Sequence, residues 1–239
     1  MILVSQGIAL APSRPAMCVY WRYLRRGHRE TSLKRCQAIE FSRVNPMTES
    51  AVVLAVPSWI DDFAATFEGS LATEDGRMEL TIALSRHNAE RGGGPFGATV
   101  FLGSKLVAVG VNLVLASGLT IAHAEIVAMM RAQRALLDSP RPAGEKYSLV
   151  ASTEPCCQCF GALVWSGIEH LTCGASTADA EAIGFDEGPK PEAWVRALAA
   201  RGITVTQRVR REEASAVLGE YARQGGVIYG RPRATPRPR

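Results

Sequence analysis

The spacing of apolar and polar residues along this chain changes repeatedly between the period of a helix and that of a strand. Residues 75–91 carry apolar side chains on one helical face, and a run of glycines ending at Pro95 stops that pattern. Two apolar runs rich in β-branched residues follow at 96–102 and 106–112, separated by Gly103-Ser104-Lys105. This arrangement predicts a helix followed by a β-hairpin.

The alternation continues toward the end of the chain. Further helices are predicted over residues 123–137, 156–166, 191–200 and 212–223, and further strands over 147–152, 170–174 and 203–207. Strands that alternate with helices pack as a sheet covered on both faces, with helix N-termini beside strand ends. The pattern therefore predicts an α/β fold in which functional groups lie at helix N-termini.

The composition is that of a globular protein. Of the 239 residues, 47% are hydrophobic and 21% are charged, which is enough for one sizeable domain with appendages. No apolar run approaches the roughly 20 residues that a membrane span requires, and Met1-Ile2-Leu3-Val4 lacks the flanking residue order of a secretory signal. The six cysteines show no disulfide framework. We therefore expect a cytoplasmic protein without a membrane partner.

The net charge of +4 is distributed unevenly. Residues 1–46 carry +6 and residues 231–239 carry +4, which leaves −6 on residues 47–230. We expect the main domain to span residues 47–230, with a basic extension before it and a disordered Arg/Pro-rich tail after it. The extension is either disordered or an upstream reading of a chain that starts at Met47. Because the domain is acidic, we do not expect a nucleic-acid partner.

Two short motifs hold the residues most suited to chemistry. The sequence H-A-E occupies residues 123–125, and P-C-C-Q-C occupies residues 155–159. The form H-x-E followed by P-C-x-x-C is typical of zinc sites that deaminate nucleobases. Cys156 and Cys159 are three residues apart, so both thiolates face one way at the start of a helix, where the helix dipole favours negative charge.

The motifs predict an open metal site. His123, Cys156 and Cys159 supply three zinc ligands, whereas a structural zinc site normally has four from the protein. Zinc lowers the pKa of a bound water, and a nearby carboxylate can take that proton and pass it to a ring nitrogen. We therefore predict one Zn²⁺ per chain, water as its fourth ligand, and Glu125 as the catalytic base.

Each motif taken alone has a less specific interpretation. A lone histidine is more often a core residue, and a lone Cys-x-x-Cys is compatible with redox chemistry or with half of a structural zinc site. No second Cys-x-x-Cys is present to complete a four-cysteine site, and Pro155 suits the entry to a helix that carries ligands. The combination favours catalytic zinc, with structural zinc and redox chemistry as alternatives.

Several segments around these motifs resemble a known family. They are residues 94–98 (G-P-F-G-A), 165–168 (W-S-G-I), 182–189 (A-I-G-F-D-E-G-P), 201–205 (R-G-I-T-V) and 226–229 (G-V-I-Y). Together with the zinc motifs, the first two resemble the cytidine deaminase superfamily. The other three resemble bacterial guanine deaminases, particularly those that also accept the triazine ammeline. The resemblance covers residues 70–230 but not the basic extension or the tail.

The resemblance implies a fold, an activity and further site residues. It implies a three-layer α/β/α sandwich with a central mixed sheet, and a hydrolase that converts guanine to xanthine and ammonia, with ammeline as a second candidate substrate. It also implies that Glu187 joins Glu125 in proton transfer, and that the chain forms a homodimer. The implied contacts to the base are Asn112, Phe96, His123 and Phe185.

Several of these assignments leave alternatives open. Glu187 is compatible with a solvated loop, Asn112 with a residue at a strand end, and Phe96 with a core side chain. Cys157-Gln158 departs from the family's frequent methionine, and the Cys157 thiol is a possible competing ligand. For the function, the alternatives are another zinc deaminase, for cytosine, a nucleoside or adenosine in tRNA, and a non-enzymatic module that zinc stabilises.

Overall fold

The computed structural model describes residues 53–136 and 142–230. Its helices are α1 (Trp59–Ala65), α2 (Glu74–Glu90), α3 (Val114–Ser117), α4 (Ala124–Leu136), α5 (Cys157–Ser166), α6 (Thr177–Ala182), α7 (Trp194–Ala199) and α8 (Arg211–Arg223). Its strands are β1 (Gly97–Leu102), β2 (Lys105–Val111), β3 (Tyr147–Thr153), β4 (His170–Ala175) and β5 (Thr204–Thr206). None of these helices has the length and apolar character that a membrane crossing requires. The expected extension over residues 1–46 and the tail over residues 231–239 lie outside the described residues.

The five described strands form one mixed sheet in the order β2-β1-β3-β4-β5. β1 is antiparallel to both of its neighbours, β2 and β3, whereas β3, β4 and β5 are parallel. The hairpin between β1 and β2 confirms the predicted one, with Gly97 opposite Val111 and a register shift after Val100. Parallel strands need crossover connections, and α5 supplies the crossover from β3 to β4.

Helices cover both faces of the sheet. One core cluster joins the sheet to α4, α5 and α7, and a second joins its other face to α2, α6 and α8. Leu149 and Ala151 of β3 belong to the first cluster and Val150 to the second, as the alternation of side chains along a strand requires. The three-layer α/β/α sandwich with a central mixed sheet is confirmed.

The longer elements lie where the sequence pattern places them. The predicted helix over 75–91 is α2, and the predicted helix over 123–137 is α4, each within one residue at either end. The predicted helix over 191–200 is shorter, because α7 begins only at Trp194. Helix α2 buries more than one face, because it packs against the sheet and also carries Leu80 and Leu84 into a third cluster with α1.

Three short helices have no counterpart in the prediction. They are α1, α3 and α6, which are seven, four and six residues long. Two turns or fewer show too little of the 3.6-residue period to be recognised. Helix α6 does carry a local signal, because Ser176 and Asp179 form a capping box at its N-terminus.

The cap of α6 is reinforced by an ion pair. Asp179 accepts the backbone N–H of Ser176 at 2.8 Å and receives two hydrogen bonds from the Arg211 guanidinium, at 2.7 and 2.8 Å. The Arg211 hydrogen bond, followed by those from Ser176, lowers the pKa of Asp179 to about 2. The pair ties α6 to the start of α8, and α6 leads into the segment that carries Glu187.

Replacing Asp179 by asparagine is expected to lower the free energy of unfolding at neutral pH. The folded-state pKa of Asp179 is below its unfolded value of about 3.9, so the carboxylate stabilises the fold above about pH 4. That contribution disappears as the pH falls through about 2. Urea unfolding of both proteins should therefore show a difference that shrinks between about pH 5 and pH 2.

A control is available on the same helix. Glu181 is exposed, and Glu181→Gln should leave the free energy of unfolding nearly unchanged at every pH tested. A deficit of the Asp179→Asn variant that stayed constant down to pH 2 would contradict the role of the charge.

Candidate active site

The two motifs meet where β3 ends. The chain passes from β3 into α5, with Cys156 at the N-cap of that helix and Cys159 in its first turn. His123 directly precedes α4, and Glu125 is the second residue of α4. Both helix N-termini therefore point their positive dipole ends at the same place, which favours thiolates and carboxylates there.

The geometry of His123, Cys156 and Cys159 fits a zinc ion. Their ligand atoms all lie within 4.8 Å of one another, and His123 Nδ1 is 3.4 Å from Cys156 Sγ and 3.6 Å from Cys159 Sγ. Ordinary Zn–N and Zn–S bonds in a tetrahedron place a nitrogen and a sulfur ligand about 3.6 Å apart. Within the described part of the chain Cys157 does not belong to this group, so it does not compete as a ligand.

The two cysteines form a coupled pair. The hydrogen bond from the Cys159 thiol lowers the pKa of Cys156 to about 4, with a further contribution from His123. The same hydrogen bond, together with burial, raises the pKa of Cys159. The first negative charge of the pair therefore resides on Cys156, and a thiolate is the form that a metal binds.

Two carboxyl groups are buried beside these ligands. Glu125 is 8% exposed and Glu187 is 6% exposed. Burial, together with the charge on Cys156, raises the pKa of Glu125 to about 7 and that of Glu187 to about 8. A carboxyl group that titrates near neutral pH can both accept and donate a proton, which is what general acid–base catalysis requires.

The segment around Glu187 is held against the metal-binding loop. The Cys157 N–H donates to the Glu187 carbonyl at 2.8 Å, and the Gly188 N–H donates to the Asp186 carboxylate at 2.9 Å. Lys190 Nζ donates to the Pro155 carbonyl at 2.8 Å. A solvated loop is therefore the wrong description of Glu187, although its neighbour Asp186 is exposed.

One cavity gathers the residues expected to contact substrate. It is lined by Asn112, Phe96, His123, Phe185, Glu125, Glu187 and Cys156, together with Ser152, Thr153, Glu154, Asp186, Tyr229 and the glycines at positions 97 and 230. Cys159 is fully buried, so it completes the ligand group without lining the cavity. Every residue named for catalysis or substrate contact from the sequence thus borders the same space.

Aromatic side chains form one side of this cavity. Phe96 and Phe185 make an edge-to-face contact with ring centroids 4.9 Å apart, and Tyr229 contacts Phe185 at 5.1 Å. Tyr229 ends the segment 226–229 that carries part of the family resemblance, but it was not among the expected contacts to the base. Its hydroxyl is buried and has no hydrogen-bond partner among the described residues. No spacing signal in the sequence connects it to the site.

Glu154 has a structural position. Its carboxylate accepts the backbone N–H of Thr177 at 3.0 Å and the Thr177 hydroxyl at 2.9 Å, and it also accepts the Gln207 amide. These contacts use both carboxylate oxygens behind the Pro155 turn. Glu154 therefore stabilises the turn at which the chain enters α5.

Comparison with known proteins gives consistent matches. Residues 73–175 match the family model of the cytidine and deoxycytidylate deaminase zinc-binding region. The guanine deaminase of Bacillus subtilis (strain 168) is 35% identical over 115 residues, which cover 46% of this chain and 69% of that protein. The structure of guanine deaminase from Nitrosomonas europaea is 41% identical with a TM-score of 0.66, covering 73% of this chain and 98% of that chain. The structure of NE0047 in complex with 2,6-diaminopurine is 43% identical with a TM-score of 0.68, covering 75% and 97%.

The region matched by the family model contains both zinc motifs and the hairpin that precedes them. The structural matches extend the likeness over almost the whole length of the two solved chains. The ligand geometry and these matches agree with the resemblance seen in the sequence. The chain belongs to the cytidine deaminase superfamily and, within it, to the guanine deaminase-like hydrolytic enzymes.

Proposed function

We propose that this chain is a zinc-dependent guanine deaminase, which hydrolyses guanine to xanthine and ammonia. The observation that carries the proposal is that an open three-ligand metal group and two buried carboxyl groups border one cavity. The relatives named guanine deaminase support a purine base as the substrate. Ammeline is a second candidate substrate, because a pocket that hydrogen-bonds one ring edge can accept a triazine with the same donors and acceptors.

The proposed metal site uses His123 Nδ1 and the thiolates of Cys156 and Cys159, with one zinc ion per chain and water at the fourth position. The spacing of these three atoms supports it. When bound, zinc lowers the pKa of a coordinated water toward neutrality and so supplies the nucleophile. The remaining tasks fall to side chains of the protein.

The base would be held between polar and aromatic groups. Asn112 lies directly after β2 and accepts the Val114 N–H through its side-chain oxygen at 3.1 Å, which fixes the orientation of the amide. An amide in a fixed orientation can read the carbonyl and ring nitrogen of a base. Phe96 and Phe185 offer apolar surface to the flat ring, and His123 borders the same cavity.

The two carboxyl groups would divide the proton transfers. Glu125 would take a proton from the attacking water and deliver it to the ring nitrogen beside the attacked carbon. Glu187 would assist protonation of the amine as the carbon–nitrogen bond breaks. Burial raises the pKa of both carboxyl groups, so each is protonated more readily than a solvated carboxyl group. The water oxygen remains on the carbon, and ammonia leaves.

A substrate panel tests the proposed function directly. Zinc-loaded protein should release ammonia from guanine, with or without ammeline, and not from cytosine, cytidine or adenine, while guanosine tests whether the pocket admits a nucleoside. Xanthine should form in equal amount to the ammonia released from guanine. Activity confined to pyrimidines or nucleosides would keep the metal chemistry but overturn the purine assignment, and silence on every compound with zinc bound would overturn the proposed function.

Replacing Glu125 by glutamine should abolish most of the turnover while zinc is retained. Glutamine keeps the size of the side chain but cannot take up the proton, and loss of a general base typically costs about 10²–10⁴-fold in rate. Ammonia release and zinc content should be measured on the same preparation. The matched control is Glu68→Gln, an exposed carboxylate outside the cavity, which should leave both values unchanged. Near-normal turnover in the Glu125→Gln protein would show that another group is the base.

We also propose that two copies associate through the outer surface of α4 and the neighbouring α5. Ile121, Met130 and Trp165 on these helices or beside them are 62%, 54% and 73% exposed. A groove of about 580 Å³ lies along α4, and its lining includes Ile121, Ile126 and Met130. Large apolar side chains exposed together mark interaction surfaces, and the family resemblance implies a homodimer.

Replacing Met130 by lysine should shift the protein from dimer to monomer. Burying an unpaired ammonium in an apolar interface is costly, so the dimer should dissociate at micromolar concentration in sedimentation velocity. Ala216→Lys introduces the same charge at an exposed position of α8, on the opposite face of the sheet, and should leave the dimer intact. A wild-type protein that sediments as a monomer would rule out this association.

A further inference from the structure

Asn88 connects two segments that border the cavity, although it does not line the cavity itself. It lies in the last turn of α2 and is 4% exposed. Its side-chain nitrogen donates to the Gly94 carbonyl at 2.8 Å and to the Asn112 carbonyl at 2.8 Å. One amide group therefore joins the turn that enters β1 to the residue that follows β2.

The surrounding backbone is built around this amide. A Cβ atom at Gly93 would lie 2.4 Å from the Asn88 side-chain nitrogen, so only glycine leaves room for it. The Gly93 N–H in turn donates to the Asn88 carbonyl at 2.8 Å. Both hydrogens of the –NH₂ group are used, and no other side chain of this length supplies two donors and fits the same space.

The bridge acts on the groups proposed to contact the base. The Phe96 N–H donates to the Gly94 carbonyl at 2.9 Å, and the Asn112 N–H donates to the Phe96 carbonyl at 3.1 Å. Phe96 and Asn112 are therefore hydrogen-bonded to each other. Asn88 is connected to Phe96 because both donate to the Gly94 carbonyl, and it is connected to Asn112 because it donates to the carbonyl of that residue. Displacement of one of these carbonyls would move the Asn112 amide and the Phe96 ring together.

We propose that Asn88 is a positioning residue for substrate recognition, which sets the Asn112 amide and the Phe96 ring at the distance that the base requires. The inference rests on the proposed function, in which Asn112 and Phe96 contact the base. A merely structural contribution of Asn88 would lower stability without acting through Asn112. A double-mutant cycle separates the two possibilities.

The cycle compares kcat/KM for guanine in wild type, Asn88→Ala, Asn112→Ala and the double variant. Loss of the bridge should lower kcat/KM by about 10-fold or more in the wild-type background, since two buried hydrogen bonds are lost. In the Asn112→Ala background the same change should cost at least about 3-fold less than in wild type, because the Asn112 amide is already absent and only the effect through the Phe96 ring remains. Equal losses in the two backgrounds would overturn the proposal.

Thr81→Ala is the matched control. Thr81 is a buried polar residue of the same helix, and its hydroxyl is 2.8 Å from that of Thr99 on β1, two turns away from Asn88. It should lower the melting temperature about as much as Asn88→Ala but leave kcat/KM within about 2-fold. Asn88→Ser is the second variant if the alanine protein does not fold, and it is expected to lie between wild type and alanine in kcat/KM. An equal loss of kcat/KM in the Thr81→Ala protein would contradict positioning.

Backbone hydrogen exchange tests the inference without any substrate. In the Asn88→Ala protein the amides of Phe96, Asn112 and Val114 should exchange faster than in the Thr81→Ala protein, while those of α8 should not differ. If wild type does not act on guanine, the proposed function fails, and this measurement alone decides the positioning role. Equal exchange at those three amides in the two variants would then overturn it.

Discussion

The candidate site depends on an electrostatic constraint, because three groups able to carry negative charge are buried together. Glu125, Glu187 and Cys156 border one cavity, and the charge on Cys156 adds to burial in raising the pKa of both carboxyl groups. Buried like charges are costly unless a cation compensates them. A divalent ion held by Cys156, Cys159 and His123 would supply that compensation. Metal binding and the ionisation of the two carboxyl groups are therefore coupled electrostatically through the charge on Cys156.

The fold meets this constraint with main-chain dipoles and with a layer of hydrogen bonds behind the cavity. The N-termini of α4 and α5 converge where β3 ends, so the ligands sit where negative charge is favoured. Behind them, Glu154 accepts two hydrogen bonds from Thr177, and Lys190 donates to both Thr177 and the Pro155 carbonyl. This layer links the metal-binding loop to the segment that carries Glu187. A change at Lys190 or Thr177 would therefore displace both the loop that carries Cys156 and the segment that carries Glu187.

The parts of the molecule that could be predicted from the sequence are those with a local signal. The spacing of Cys156 and Cys159, together with the H-x-E motif at His123, indicated the metal-binding group, because residues three apart in a helix project from the same face. The helices α2 and α4 could be predicted because they are long enough to show the helical period several times. Glu187 and Asn112 were reached only through the family resemblance, because neither lies at a spacing that demands chemistry. The position of Tyr229 at the cavity was suggested only by the G-V-I-Y segment of the resemblance, and the role proposed for Asn88 had no signal in the sequence. Each depends on tertiary contacts between residues far apart in the chain.

In the proposed function, different segments of this fold carry out the reaction and select the substrate. The metal ligands and Glu125 come from two helix N-termini, an arrangement that suits hydrolysis of any amine-bearing ring carbon. The groups proposed to face the ring come from other segments that line the cavity, namely the entry to β1, the end of β2 and the loop after α6. If Asn112 contacts the base as proposed, a base whose edge does not match would leave the Asn112 amide without that partner in a buried cavity, and such a mismatch discriminates far more strongly than a change in apolar shape. Asn88 donates to the main-chain carbonyls of Asn112 and Gly94 and does not line the cavity. Under the proposed positioning role, the precision of substrate choice would therefore depend on a residue that never touches the substrate.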